Sequence, residues 1–197
     1  MEVSTAAGPA RVTLDDVPGP AFLLVLTHSS NGGVNARDLL AVRDAALAQG
    51  GAVARVLQPF RLAGRRAPGP APGQDAAWLE VIAVLRKRYG DLPLIQGGRS
   101  NGARVACRTA LAAGARGVIA LAFPLHPPGR PDVSRADELR NAGVEVVVVN
   151  GDRDPFGVPD PSDATSVHVL PGERHDLSRK PAAVGEIAAD WLRRWRD

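Results

Sequence analysis

Apolar residues along this chain fall into two patterns. In the first they run almost unbroken for the length of a strand: 21–27 (AFLLVLT), 92–95 leading into a glycine pair, 117–123 (GVIALAF), and 144–150, which is almost pure valine. Runs of this kind are expected of strands buried on both faces. In the second they return every three or four positions, the spacing of one helix face. Leu39, Val42, Ala46 and Leu47 do so before Gly50-Gly51, and Trp78, Ile82, Leu85 and Tyr89 before Gly90. Ala103, Ala106, Cys107, Ala110 and Leu111 follow a glycine-rich turn, and Val184, Ile187, Ala188, Trp191, Leu192 and Trp195 form a stripe over 183–195. Segments 52–60 and 166–170 predict two more strands, 74–90 a helix and 135–142 a short helix. Residues 10–14 are expected as an edge strand before Pro18-Gly19-Pro20. The stretch 61–73, rich in Pro, Gly and Arg, is expected as a surface loop, and 124–131 as an irregular loop carrying His126.

Strands that alternate with helices imply an α/β fold: a mainly parallel central sheet with helices on both faces. We expect one domain over 21–197, preceded by an N-terminal segment or edge strand at 1–20. Parallel sheets of this kind bind ligands just beyond the carboxyl ends of their strands. The residues at those ends therefore bear most directly on function.

Composition narrows the classes. A length of 197 residues with 45% hydrophobic content is enough for one full core. The net charge of +3 comes almost wholly from arginine, since Lys87 and Lys180 are the only lysines. Arginines cluster at Arg65-Arg66, Arg86 with Arg88, and Arg193-Arg194, but acidic residues are spread among them and no nucleic-acid motif accompanies them, so a solvated surface is expected and no nucleic-acid partner. The single Cys107 lies on an apolar helix face and reads as a small buried hydrophobe. The first ten residues lack the charged and apolar regions of a secretory signal, and no run reaches membrane-spanning length, so a cytoplasmic protein with no membrane partner is expected. His28, His126, His168 and His175 show no metal-binding spacing, so no metal is expected, nor any other cofactor.

The most informative stretch is DLPLIQGGRSNGARVACRTAL, 91–111. An apolar strand enters Gly98-x-Ser100-x-Gly102, and a small-residue helix leaves it. This is the nucleophile-elbow pattern, in which a strained turn lifts a serine hydroxyl above the sheet and aims a helix N-terminus at the reacting oxygen. The plainer reading of the same residues is a tight turn whose serine caps a helix. Three further strand ends bear on the choice. The first strong strand ends in His28-Ser29-Ser30-Asn31-Gly32-Gly33, where the Ser30 amide is a candidate oxyanion donor beside that of Asn101. The valine strand ends in GDRDPFG, 151–157, which offers Asp152 and Asp154 as acids. The strand at 166–170 ends in PGERH, 171–175, which offers His175 as a base. Each of these also has an ordinary explanation as turn chemistry. Together they place serine, acid and histidine at strand ends in the chain order of one serine-hydrolase fold.

On GGRSNGAR (97–104), FPLHPPG (123–129), GDRDPFG (151–157) and GERH (172–175), the chain resembles small lidless α/β-hydrolases of the dienelactone-hydrolase-like branch that includes KANSL-type and testis-expressed hydrolase-like proteins. The resemblance covers about residues 20–197. It implies a Ser100–His175–Asp154 triad, with Asp154 preferred over Asp152 because it matches the family's GxxDPF position. It also implies hydrolysis of an acyl ester through an acyl-enzyme; small or exposed acyl groups are expected because no lid-sized insertion is present, and Ser29, His126 and Phe156 are expected as rim or substrate-binding residues. Two departures stand out. His28-Ser29-Ser30 replaces the family's usual His-Gly-small loop, and Ser100 stands where dienelactone hydrolases proper carry cysteine. The branch also holds scaffold members, so the alternative is a non-catalytic interaction module on the same fold. Only 124–143 separates the strand at 117–123 from the valine strand, too short for an inserted lid domain.

Overall fold

The computed structural model describes residues 1–196. Eight strands form one sheet: β1 Glu2–Thr5, β2 Gly8–Asp15, β3 Phe22–Thr27, β4 Gly51–Leu57, β5 Leu94–Arg99, β6 Gly117–Leu121, β7 Glu145–Gly151 and β8 Ser166–Leu170. Their order across the sheet is β1-β2-β4-β3-β5-β6-β7-β8. The β1–β2 and β2–β4 pairings are antiparallel, and every pairing from β4 to β8 is parallel. The helices are α1 Arg37–Ala48, α2 Pro59–Leu62, α3 Ala71–Tyr89, α4 Asn101–Thr109, α5 Ala136–Arg140 and α6 Pro181–Leu192.

The helical stripes in the sequence pack into two cores. Trp78, Val81, Ile82 and Leu85 of α3 pack with Ala103, Ala106 and Cys107 of α4 and Leu139 of α5 on one face of the sheet. Leu39, Val42 and Ala46 of α1 pack with Val184, Ala188, Trp191 and Leu192 of α6 on the other. The central strands supply side chains to both layers: all six residues of β3 are buried. That explains their unbroken apolar character, since a strand covered on both sides has no polar face to show.

Several elements differ from the sequence expectation, most by one to three residues at an end. The strand expected at 52–60 ends at Leu57, and Pro59 starts the short helix α2, where a fixed φ and a missing N–H cost nothing. The loop expected over 61–73 thus begins inside α2, and α3 starts at Ala71 instead of residue 74. The strand at 10–14 exists as β2 but lies one place in from the edge, because β1 folds back on it. Leu111, expected on the inner stripe of α4, is 72% exposed because the helix ends at Thr109.

Candidate active site

Strand β5 and helix α4 meet at Ser100, whose φ of 56° and ψ of −114° lie outside the regions a serine ordinarily occupies. Such a conformation costs on the order of 1–3 kcal/mol and persists only where the surroundings fix it. Here the Ser100 N–H donates to the Leu121 carbonyl at 2.9 Å, tying the turn to the end of β6. The flanking glycines allow the approach. A Cβ on Gly98 would lie 2.7 Å from both the Thr27 carbonyl oxygen and the Gly102 carbonyl carbon, and one on Gly102 would lie 2.7 Å from the Thr27 oxygen. Both glycines therefore let the elbow press against the end of β3, where the loop carrying Ser29 and Ser30 begins.

The other sequence-selected groups converge on this point. The Ser100 Oγ is 2.8 Å from His175 Nε2, and His175 Nδ1 is 2.8 Å from Asp154 Oδ2. Asp154 is held in turn: its Oδ1 accepts from the Phe156 N–H at 2.9 Å and its Oδ2 from Asn150 Nδ2 at 3.2 Å. The carboxylate is buried and acceptor-filled, which fixes the histidine tautomer with its proton on Nδ1. Asp152 does something else. Its Oδ1 accepts from the Gly172 N–H at 2.7 Å, clamping the turn after β7 to the turn after β8. That clamp is close-packed, since a Cβ on Gly151 would sit 2.3 Å from the Glu173 carbonyl oxygen.

A cleft of about 410 Å³ opens over Ser100 and His175. Ser29, Ser30, Asn101 and Phe156 line it, and the Phe156 ring meets His175 edge-on at 4.5 Å between centroids. Neither the Ser30 nor the Asn101 backbone N–H has a protein acceptor among the described residues. Asn101 is the first residue of α4, where an amide has no partner within the helix; its side chain donates to Gln74 Oε1 at 2.8 Å and anchors the elbow to α3.

The departure at His28-Ser29-Ser30 has a structural counterpart. His28 is fully buried, with Nδ1 2.8 Å from the Ser29 carbonyl and Nε2 accepting from the Gln58 N–H at 2.9 Å. It bolts the loop after β3 to the end of β4. Burial is the main cause that lowers its pKa to about 4, aided by Arg61 and Arg99 and opposed by the bond to Ser29, so the ring is neutral at pH 7. Ser29 Oγ accepts from Arg99 Nη2 at 2.9 Å.

His126 is not among the residues that line the cleft, contrary to the sequence expectation. Its ring packs beside Gly157 with Nδ1 3.2 Å from the Val133 carbonyl, and its N–H donates to the Phe156 carbonyl at 2.9 Å. It fastens the loop after β6 to the loop carrying Asp154.

Three charged cleft residues were not singled out from sequence: Arg99, Arg104 and Arg135. Arg99 precedes Ser100 and Arg104 follows it by one helical turn, so a signal for both existed in the spacing. Arg135 is 35 positions away by number and carried none. A separate cavity of about 240 Å³, lined by Phe60, Trp78 and Val81 among others, shares Pro68 with the cleft but contains none of Ser100, His175 or Asp154. Among the described residues no group of His, Cys, Asp or Glu is placed to hold a metal ion, and no helix is long and apolar enough to cross a membrane.

Solved structures of similar fold span nearly the whole molecule. An α/β serine hydrolase homologue from Coxiella burnetii superposes with a TM-score of 0.81 at 16% identity, covering 98% of this chain and 96% of that one. XC6422 from Xanthomonas campestris, a serine hydrolase without a lid, gives 0.76 at 20% identity over 99% and 93%. A dienelactone hydrolase from Anabaena variabilis gives 0.76 at 15% identity over 98% and 94%. No curated protein sequence matches. A family model described as an α/β-hydrolase domain matches residues 20–192, which takes in the elbow, the acid turn and the histidine turn together. With that match spanning most of its length, the chain belongs to the α/β-hydrolase family.

Proposed function

We propose that the protein is a serine hydrolase that cleaves small or exposed acyl esters, of carboxylesterase or thioesterase type, through an acyl-enzyme. The observation that carries this reading is the unbroken hydrogen-bonded chain from Ser100 Oγ through both nitrogens of His175 to the buried Asp154. In the proposed reaction His175 Nε2 takes the Ser100 proton as Oγ attacks the carbonyl carbon, while Asp154 holds the ring and stabilises its charged form. The tetrahedral oxyanion is bound by the Asn101 and Ser30 amides; loss of one such donor costs on the order of 3 kcal/mol in other hydrolases. His175 then protonates the leaving alcohol or thiol. Water, deprotonated by the same nitrogen, attacks the acyl-Ser100 ester, and collapse releases the acid with the proton returned to Ser100.

The absence of a lid-sized insertion between β6 and β7 favours short acyl groups, and the cleft of about 410 Å³ agrees with this. A cytoplasmic setting belongs to the same reading. The test is labelling of the purified protein with a fluorophosphonate probe and peptide mapping, together with turnover of p-nitrophenyl acetate. We expect the label on Ser100, and Ser100→Ala to abolish both label and turnover. Unchanged ester turnover in Ser100→Ala would refute the mechanism, and failure of intact protein to label would favour a non-catalytic module.

A further inference from the structure

Charge around the cleft is unevenly compensated. Arg99 is paired with the buried Asp38 at 3.5 Å. Arg104 forms a two-pronged pair with Glu138 at 2.8 and 2.5 Å. Arg108, one turn further along α4, forms another with Asp75 at 2.9 and 2.6 Å and reaches Glu138 at 3.5 Å. Arg135 lines the cleft beside these groups and has no carboxylate partner among the described residues. Three neighbouring guanidinium groups, Arg104, Arg108 and Arg135, thus share two carboxylates, and the residue left over faces the cleft.

The way Arg135 is held matters as much as its charge. Its Nη1 donates to the Pro124 and His126 carbonyls at 3.3 and 3.4 Å, and its own N–H to the Leu125 carbonyl at 2.9 Å. Among the described residues Nε and Nη2 have no protein partner. That leaves the side-on edge of the guanidinium, the pair of parallel N–H groups that matches the two oxygens of a carboxylate. Partial burial, and then the like charge of Arg104, lower the Arg135 pKa from its ordinary value, with the Glu138 carboxylate offsetting only part of this, so the free group has something to gain from an anion. Among the described residues no acidic side chain lines the same cleft.

Resting on the hydrolase reading above, we propose that the substrate is an ester bearing a carboxylate, which the free edge of Arg135 binds while Ser100 attacks the ester carbonyl. A single uncompensated charge suits one carboxylate better than a phosphate dianion. Neutral esters of the same length are then poorer substrates, and the difference lies mainly in KM.

Two measurements test this. The first is binding of glutarate to the Ser100→Ala protein by calorimetry, which needs no turnover. We expect Arg135→Gln in that background to weaken binding about tenfold or more, as expected for loss of a charged hydrogen-bond partner, Arg135→Lys to restore part of it, and the exposed Arg130→Gln to leave it alone. The second is the ratio of kcat/KM for monomethyl glutarate over methyl pentanoate, with acetylated 4-hydroxybenzoate over p-nitrophenyl acetate as the arm that puts the carboxylate on the alcohol half. In at least one arm the ratio should fall about tenfold in Arg135→Gln through KM, and recover in part in Arg135→Lys. Glutarate affinity that is absent, or equal in the folded Arg135→Gln and Ser100→Ala proteins, overturns the proposal, as do charge-independent ratios in both arms. If glutarate binding depends on Arg135 but no ester is turned over and Ser100 does not label, the anion site stands and the hydrolase reading falls.

Discussion

Replacing Asp154 by Asn tests the hydrogen-bonded chain at its most constrained point. The carboxylate has three donors around it: the Phe156 N–H on Oδ1, and both Asn150 Nδ2 and His175 Nδ1 on Oδ2. An amide of the same shape offers one acceptor and one donor. With its oxygen toward Phe156, its NH₂ faces His175 Nδ1, which must then accept; the ring proton moves to Nε2, and that nitrogen can no longer take the Ser100 proton. The same placement sets the new NH₂ against Asn150 Nδ2, which cannot simply turn over because Asn150 Oδ1 accepts from the Phe123 N–H at 2.8 Å. With the amide reversed, NH₂ meets the half-buried Phe156 N–H, leaving an unsatisfied donor at a cost of about 1–3 kcal/mol. The first arrangement is cheaper for the fold, because Asn150 Nδ2 keeps the Gly157 carbonyl at 3.2 Å as an acceptor, and it is fatal for the chemistry. We therefore expect a stable protein whose kcat on p-nitrophenyl acetate is lower by about 10⁴-fold, the effect of the equivalent change in a serine protease, or about 5.5 kcal/mol at 1.36 kcal/mol per decade. Asp152→Asn keeps an acceptor for the Gly172 N–H and should change kcat by less than about tenfold, that is by less than about 1.4 kcal/mol in the barrier. A folded Asp154→Asn protein within tenfold of wild type, or an Asp152→Asn protein as impaired as it, would refute the assignment of the acid.

Gly98→Ala drives a methyl group into the Thr27 carbonyl and the Gly102 backbone, so a lower urea midpoint and a loss of about 1–3 kcal/mol are expected; an unchanged midpoint would mean that the elbow and β3 are not packed as described. His28 should make stability fall with acid: its folded pKa of about 4 lies below the unfolded 6.5, so the unfolded chain binds the extra proton. That contribution is complete above pH 6.5, shrinks as pH falls, and is gone below about 4, a loss on the order of 3 kcal/mol. Urea titrations of wild type and His28→Gln should therefore converge over that window, and parallel curves would show that His28 is not buried neutral.

The linear pattern determined a good deal by itself. Unbroken apolar runs marked the buried strands, three-and-four spacing marked both helical layers, and Ser100, His175 and the acid-bearing turn were placed by their positions beyond strand ends. These features are legible because burial and helical periodicity are local properties, written in consecutive residues. Where local rules competed, the text was less clear. Leu111 fitted the stripe of α4 but lies past the helix end, and β4 ends where Pro59 opens another helix.

What only the folded molecule decided were relations between loops distant in the chain. Asp152 and Asp154 both sit in GDRDPFG, and the choice depends on how the β7 and β8 turns close on one another, with Asp152 spent on Gly172 and Asp154 turned toward His175. His126 and Phe156 are equally plausible as rim residues in sequence, but the loop after β6 fastens one of them beside Gly157 and leaves the other against the histidine. Arg135 stands out only when the partners of its neighbours are counted in space. Hydrogen bonds and ion pairs are short-ranged and directional, so which of two similar side chains makes them is set by the packing of the backbone around both, and no reading of one segment alone contains that information.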